Sequence, residues 1–331
     1  MVQFILAATA IVIAGTFLTR AADRLAELTG FGRLLIGAVL LAGATSLPEL
    51  SVDVSAALKG LDDIAVGDLL GSSLFNLLIL AVADLLHKQR GWMLSRSAVA
   101  HAIPAVMSML LTAIVGVAIL ARFGVSVGGI GGGSAGVIAA YALGVRMVFY
   151  DQRFARQKAE TESTVEPPPP WSERRAAVRA AVIRYLVSAA AIVAAGPFLA
   201  DAAGRIAELS GLGGTFVGTT LVAFSTSLPE LVATIAAVRL GAFDLALGNI
   251  FGSNALNMAL MLPVDIASGG PLLSTVSTAH ALTAFWVVII TAVAVIGQLY
   301  HVERRHRFLE PDALMVIALV LLALVSLYGQ T

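Results

Sequence analysis

The sequence predicts an all-α polytopic membrane protein, ten transmembrane helices arranged as two inverted five-helix repeats. Three observations carry this. Of 331 residues, 58% are hydrophobic and only 13% charged, with a mean hydropathy of +0.91, whereas about a quarter of a soluble domain is charged. Apolar runs of about the 17–25 residues that cross a bilayer follow one another along the chain. The stretch TSLPEL at 45–50 returns letter for letter at 226–231.

The first run, 2–19, opens M-V-Q-F with no basic stretch ahead of it and no small-residue cleavage pattern, and reads as a retained helix rather than a signal peptide. Runs at 32–58, 63–86, 97–121 and 127–149 complete a first half, residues 1–149. The segment 150–179 is charged, poor in apolar residues and holds four consecutive prolines, which favour extended polyproline backbone. It reads as an aqueous linker. Runs at 180–202, 211–238, 243–267, 275–300 and 311–329 make a second half, residues 180–331.

Basic residues mark cytoplasmic loops. With both termini outside, the loops on the inner side hold 18 of the 21 Lys and Arg, and the outer side keeps only Lys59, Arg122 and Arg205. The 150–179 linker is then cytoplasmic, and the chain a multi-pass protein of the cell membrane. Zero net charge argues against a nucleic-acid partner, and the absence of cysteine excludes disulfides and thiolate metal sites. The lipid bilayer is the one surrounding the composition demands, and no obligatory protein partner is evident.

A single offset relates the halves. Glu230 follows Glu49 by 181 residues, and the same offset aligns AELTGFG (26–32) with AELSGLG (207–213), GDLLGSSLFN (67–76) with GNIFGSNALN (248–257), and Asp84 with Asp265. A weaker echo pairs AHAI (100–103) with AHAL (279–282). Because each half has an odd number of spans, the second enters the membrane from the opposite side. Inverted repeats are a transporter signature, with the substrate site expected near the midplane.

The repeated motif falls near the middle of spans two and seven. A carboxylate at that depth costs at least about 2.5–3.5 kcal/mol unless it meets water, a cation or a partner, so Glu49 and Glu230 require a function. Pro48 and Pro229 lack the N–H that would bond the preceding turn, which predicts unpaired carbonyls around 42–45 and 223–226. Thr45, Ser46 and Glu49 share a helix face, as do Thr226, Ser227 and Glu230. In the following spans Ser72 and Asn76, and likewise Ser253 and Asn257, are spaced i, i+4. Gly67, Gly71, Gly248 and Gly252 form stripes that let helices approach closely. Every candidate ligand is an oxygen, no central His or Cys offers itself to a softer metal, and calcium takes six to eight oxygens in a forgiving geometry. Calcium and sodium are the natural cargo.

TSLPE followed by G-[ND]-x-x-G-S-x-x-x-N, once in each half, resembles the α-repeats of the sodium/calcium exchanger family among the calcium/cation antiporters. The resemblance covers nearly the whole chain except the linker. It implies that residues 1–149 and 180–331 are two exchanger repeats and that Glu49 and Glu230 are shared calcium and sodium ligands. It also implies that Thr45, Ser46, Ser72, Thr226, Ser227 and Ser253 supply side-chain oxygens, that Ala42 and Ala223 lend backbone carbonyls, and that Asn76 and Asn257 flank the centre. The implied activity is antiport of Ca²⁺ against Na⁺ by alternating access, with the first and sixth helices sliding; a proton- or potassium-coupled calcium exchanger is the alternative. No cofactor is implied.

The chain departs from the family pattern at several positions. Asn257 stands where some members carry Asp, Asp68 where Asn is usual, as at Asn249, and Asp53 where a small or hydroxyl residue is usual, as at Thr234. Ala44 and Ser225 replace the glycine common before Thr-Ser. An enzyme using the two glutamates as a catalytic pair would need a nucleophile or a substrate motif, and the sequence holds neither a Ser/His/Asp constellation nor HExxH; paired deep acids in inverted repeats also favour stepwise exchange over an open pore. Asp84 and Asp265, near helix ends, read as solvated or capping, His101 and His280 as helix-end residues, and the run VGGIGGGSAG at 127–136 as close helix packing.

Overall fold

A computed structural model describes residues 2–86, 98–122, 124–162, 171–210, 223–299 and 311–328. The first half contains α1 (Val2–Thr29), α2 (Arg33–Leu35), a π-helical stretch (Ile36–Leu41), α3 (Ala42–Thr45), α4 (Leu47–Ala57), α5 (Asp62–Leu86), α6 (Ala98–Ala121) and α7 (Gly132–Glu162). The second contains α8 (Trp171–Ser210), α9 (Leu228–Arg239), α10 (Phe243–Ala259), α11 (Met261–Ser268), α12 (Leu272–Thr275), α13 (Ala279–Leu299) and α14 (Pro311–Tyr328). Among the described residues, seven helices are long and apolar enough to cross a membrane. Segments 33–45 and 47–57 together form an eighth such span, bent by 45°, and a shorter apolar helix covers Asp312–Leu327. The expected seventh span, 211–238, is described only from residue 223.

Helices run past the apolar windows where the next residues still favour helix. The first extends to Thr29 rather than residue 19, α7 runs to Glu162, and α8 starts at Trp171. Charged residues end a hydrophobic run without ending a helix, because Ala, Arg, Gln and Glu are all good helix formers. The linker expected over 150–179 is thus helical at both edges; its four prolines lie outside the described residues.

The glycine run at 127–136 divides. Ser126–Val127 and Ile130–Gly131 pair as a short antiparallel ribbon, turned by Gly128 and Gly129 with φ of +63° and +84°, a conformation that glycine adopts freely. Only from Gly132 does the helix begin. Gly133 then meets the expectation of close packing: an added Cβ would fall 3.0 Å from the Ala118 side chain and 3.1 Å from that of Leu273.

Direct contacts sort the helix ends into two groups. Gln3 donates to the Phe198 carbonyl (3.3 Å) and accepts from Arg205 (2.6 Å). Elsewhere Ser268 is joined to Asp62 (2.8 Å) and His280 to Asp63 (3.0 Å). At the opposite end of α1, Arg174 donates to the Leu28 carbonyl (2.6 Å). The 181-related residues Arg24 and Arg205 therefore lie at opposite ends of a helix about 42 Å long, and α1 and α8 run antiparallel.

Of the two readings of Asp265, solvated or capping, the structure overturns the first and fits the second. The residue is fully buried rather than solvated, and its carboxylate accepts from the backbone N–H of Gly131 (2.5 Å) and of Leu272 (2.6 Å). Asp84 is buried as well. The span containing Asp265 continues as α11 beneath the 126–131 ribbon, so the carboxylate meets backbone donors from two loops instead of water. Replacing Asp265 by Ala leaves two buried N–H groups without their acceptor, at about 1–3 kcal/mol each. The variant is expected to melt well below the parent in detergent while keeping its cation affinity. His280 sits beside Asp63, and the His101 side chain lies outside the described residues.

The halves interlock through glycines. A Cβ on Gly37 would fall 2.5 Å from the Leu245 carbonyl oxygen, and one on Gly248 2.5 Å from that of Leu34. Neither backbone can retreat easily, because each is fixed by its own helix. Gly248→Val is expected to cost about 1–3 kcal/mol through overpacking, read as a lower Tm that Gly248→Ala only partly reproduces.

Candidate cation site

Both copies of the motif stop a helix inside its span and restart it. Ser46 (φ −88°, ψ 8°) and Ser227 (φ −78°, ψ 2°) leave helical geometry, and α4 and α9 begin at the next residue with proline in the first turn. Proline suits that position, having no N–H to lose and a preset φ. Glu49 and Glu230 thereby occupy the first turns of helices, where the N-terminal dipole favours negative charge. Just before the first break the backbone widens to π-helix at 36–41, a distortion often found at functional sites.

The expected pool of unpaired carbonyls is smaller than the prolines suggest. Ala42 O accepts from the Ser46 N–H (3.0 Å) and the Thr45 hydroxyl (3.3 Å), and Ala223 O from the Ser227 N–H (3.0 Å) and the Thr226 hydroxyl (3.1 Å). Both N–H bonds are ordinary i to i−4 helical bonds that persist up to the break. Proline removes only the donor four residues after a carbonyl, which for Pro48 means Ala44.

The structure buries all twelve sequence-predicted ligands, none more than 3% exposed. Ser46 Oγ donates to Glu230 Oε1 (3.2 Å), and Ser253 Oγ approaches the same oxygen at 3.5 Å, so the acid of the second half is gripped by hydroxyls from both. Glu49 lies within the electrostatic reach of Glu230 and also of Asp68 and Asp53. Thr45 Oγ1 lies 3.4 Å from Asn249 Oδ1 and 3.1 Å from the Leu41 carbonyl. Asn76 Nδ2 donates to Asn254 Oδ1 (2.9 Å).

Much of this set lacks a partner. Glu49 Oε2, Glu230 Oε2, Ser72 Oγ, Ser227 Oγ, Asn76 Oδ1 and both polar atoms of the Asn257 amide are buried without a hydrogen bond. Native proteins leave few such groups, and a buried carboxylate oxygen without a donor is costly. The oxygens among these atoms, drawn from four helices, match what a dehydrated cation needs. Among the described residues no three His, Cys, Asp or Glu side chains form a metal-binding group; a cation here would meet two glutamates and neutral oxygens.

Two further residues, outside the candidate ligand set, join the cluster. Asn249 links Thr45 of one half to Thr234 of its own, donating to Thr234 Oγ1 (3.2 Å). Asn254, adjacent to Ser253, bridges Asn76 to the Ser73 carbonyl (3.2 Å). The i, i+4 spacing of Asn249, Ser253 and Asn257 was the available signal for the first. Asn254 lies off that face, and only its contact with the other half identifies it.

The chain matches the family model described as sodium/calcium exchanger protein over residues 1–150 and 180–330. It is 31% identical over 268 residues to the inner membrane protein YrbG of Escherichia coli, covering 78% of each chain. It is 29% identical over 245 residues to the putative antiporter CaxA of Alkalimonas amylolytica, covering 73% of this chain and 72% of that one. A shorter match, 46% identical over 81 residues, reaches the sodium/calcium exchanger MaX1 of Methanosarcina acetivorans and covers 24% of this chain and 23% of that one. Among solved structures, the sodium-calcium exchanger NCX_Mj soaked with Na⁺ and Sr²⁺ superposes with a TM-score of 0.73 at 19% identity, over 98% of this chain and 97% of that one. At that identity the likeness shows a shared fold.

Proposed function

The chain belongs to the sodium/calcium exchanger family, and from that premise we propose that it exchanges Ca²⁺ for Na⁺ across the membrane at the oxygen cluster between Glu49 and Glu230. The single observation that carries this reading is the concentration of unpartnered, fully buried oxygens on Glu49, Glu230, Ser72, Ser227 and Asn76. Two carboxylates neutralise one Ca²⁺, or are shared by Na⁺ ions that occupy overlapping oxygens. Competition for the same atoms couples the two fluxes. An empty cluster leaves two uncompensated acids in the apolar layer, so the unloaded protein does not readily switch sides, and exchange is obligatory.

In this reading ten spans form two inverted repeats, 1–149 and 180–331, joined by the cytoplasmic segment 150–179, with both termini outside. Alternating access comes from α1 and α8 moving together across the rest. What supports the pairing is that these two helices pack most extensively on each other, while each touches the broken spans at tight points. A Cβ on Gly15 of α1 would meet Val232 at 2.9 Å, and one on Gly196 of α8 would meet Pro48 at 2.7 Å.

Equilibrium binding of ⁴⁵Ca²⁺ to purified protein tests the shared site. Na⁺ is expected to displace Ca²⁺ completely and competitively, while K⁺ at equal ionic strength does not. Displacement by protons or K⁺ but not Na⁺ would shift the assignment to a proton- or potassium-coupled exchanger; failure to bind Ca²⁺ at all would overturn it.

A further inference from the structure

Asp53 lies one turn after Glu49 on α4, and Asp68 one turn before Ser72 on α5. Both are buried, 0% and 2% exposed. Their carboxyls stand side by side, and the Thr226 hydroxyl, from the other half, stands beside Asp68. All four carboxylate oxygens are buried without a hydrogen-bond donor, and among the described residues neither acid forms an ion pair with a Lys, Arg or His.

The second half supplies an internal comparison. The positions 181 residues further on are Thr234 and Asn249, and the counterpart of Thr226 is Thr45. There the Asn249 amide donates to Thr234 Oγ1 (3.2 Å), and its oxygen lies 3.4 Å from the Thr45 hydroxyl. That arrangement is neutral and internally satisfied. The fold therefore accepts an uncharged pair at this place; the first half instead carries two carboxylates, with the donors gone and two negative charges added in a dehydrated setting.

We propose that Asp53 and Asp68, with the Thr226 hydroxyl, hold a sodium ion of their own beside the central cluster, a seat that one half possesses and the other lacks. Its five oxygens, four from carboxylates and one from a hydroxyl, suit a hard cation, and sodium is the one that exchange brings along this pathway in excess. The seat rests on the exchanger reading only for the supply of sodium along the same pathway. It places a fixed charge next to Glu49, so that loading the seat tunes how strongly the central acids hold their cargo.

The test compares ²²Na⁺ and ⁴⁵Ca²⁺ binding stoichiometry in nanodiscs for the parent protein, for the double variant Asp53→Thr with Asp68→Asn, and for Glu49→Gln. The double variant installs the chemistry already present at Thr234 and Asn249, so it is expected to fold; Asp68→Asn alone serves if it does not. The expected result is one Na⁺ fewer per protein in the double variant with Ca²⁺ binding retained, and loss of Ca²⁺ with this Na⁺ retained in Glu49→Gln. Equal Na⁺ stoichiometry in parent and double variant would overturn the seat and leave a proton shared between the two carboxyls as its occupant. Loss of both ions from a double variant that melts like the parent would overturn it too, by merging the pair with the central site. A parent that binds Na⁺ but no Ca²⁺ would instead sink the exchanger reading, independently of the seat.

Discussion

Glu49→Gln is expected to reduce Ca²⁺ uptake into proteoliposomes to background while leaving the protein folded. Glutamine keeps the shape and one carbonyl oxygen of the acid but removes its charge, so a divalent cation would meet a single compensating carboxylate in a site closed to water. Removing one partner from a buried charge pair costs about 2–5 kcal/mol, or roughly 30-fold to several-thousand-fold in affinity at about 1.4 kcal/mol per decade. Overall stability is expected to hold or rise, because Glu49 Oε2 has no hydrogen bond to lose and lies in the field of Glu230, Asp68 and Asp53. Initial rates of ⁴⁵Ca²⁺ uptake beside a thermal melt separate the two effects. At Ca²⁺ well below the parent's half-saturating concentration, a variant that transports at more than about a tenth of the parent rate would remove Glu49 from the centre, because even the smallest affinity loss in that range exceeds tenfold.

Tying α1 to α9 is expected to arrest exchange altogether. The natural chain has no cysteine, so Gly15→Cys with Val232→Cys introduces the only possible disulfide. A Cβ at Gly15 would lie 3.3 Å from Val232 Cβ, near the roughly 3.5–4.5 Å that disulfides require, and the valine substitution removes the methyl that an added Cβ would otherwise meet. If α1 slides over the broken span during each cycle, the oxidised protein binds cation from one side but carries none across, and a reductant restores the flux. Equal rates in the oxidised and reduced forms would show that these two helices keep their contact through the cycle, and the moving element would have to be sought elsewhere.

The parts of the fold legible in the sequence were those written as long apolar runs and as exact repetition. The 181-residue offset placed Glu49 with Glu230 and Ser72 with Ser253, and all four are buried as that repetition implied. What stayed hidden depends on backbone detail that periodicity does not encode. The π-helical turn at 36–41 has no marker residue, and the Ala42 and Ala223 carbonyls are bonded because the helix holds to Ser46 and Ser227, whose N–H groups precede the prolines. Asp265 is polar and near the end of an apolar run, which reads as solvated or capping; that it caps while buried follows from two loop backbones folding over it, a tertiary fact. Asn254 fills an unspecified position inside the motif, and only its contact across the halves makes it a bridge between Asn76 and Ser73. The unlike residues at matched positions, Asp53 against Thr234 and Asp68 against Asn249, were visible as departures, but their meaning required the geometry of both pairs.

If Na⁺ and Ca²⁺ use one set of oxygens in opposite directions, ⁴⁵Ca²⁺ uptake into proteoliposomes under imposed Na⁺, H⁺ and K⁺ gradients, one at a time, reads it out. An outward Na⁺ gradient at fixed pH is expected to drive uptake well above the level without a gradient, with H⁺ and K⁺ gradients giving none. Uptake that follows the H⁺ or K⁺ gradient and ignores Na⁺ would contradict sodium coupling at the Glu49 and Glu230 cluster.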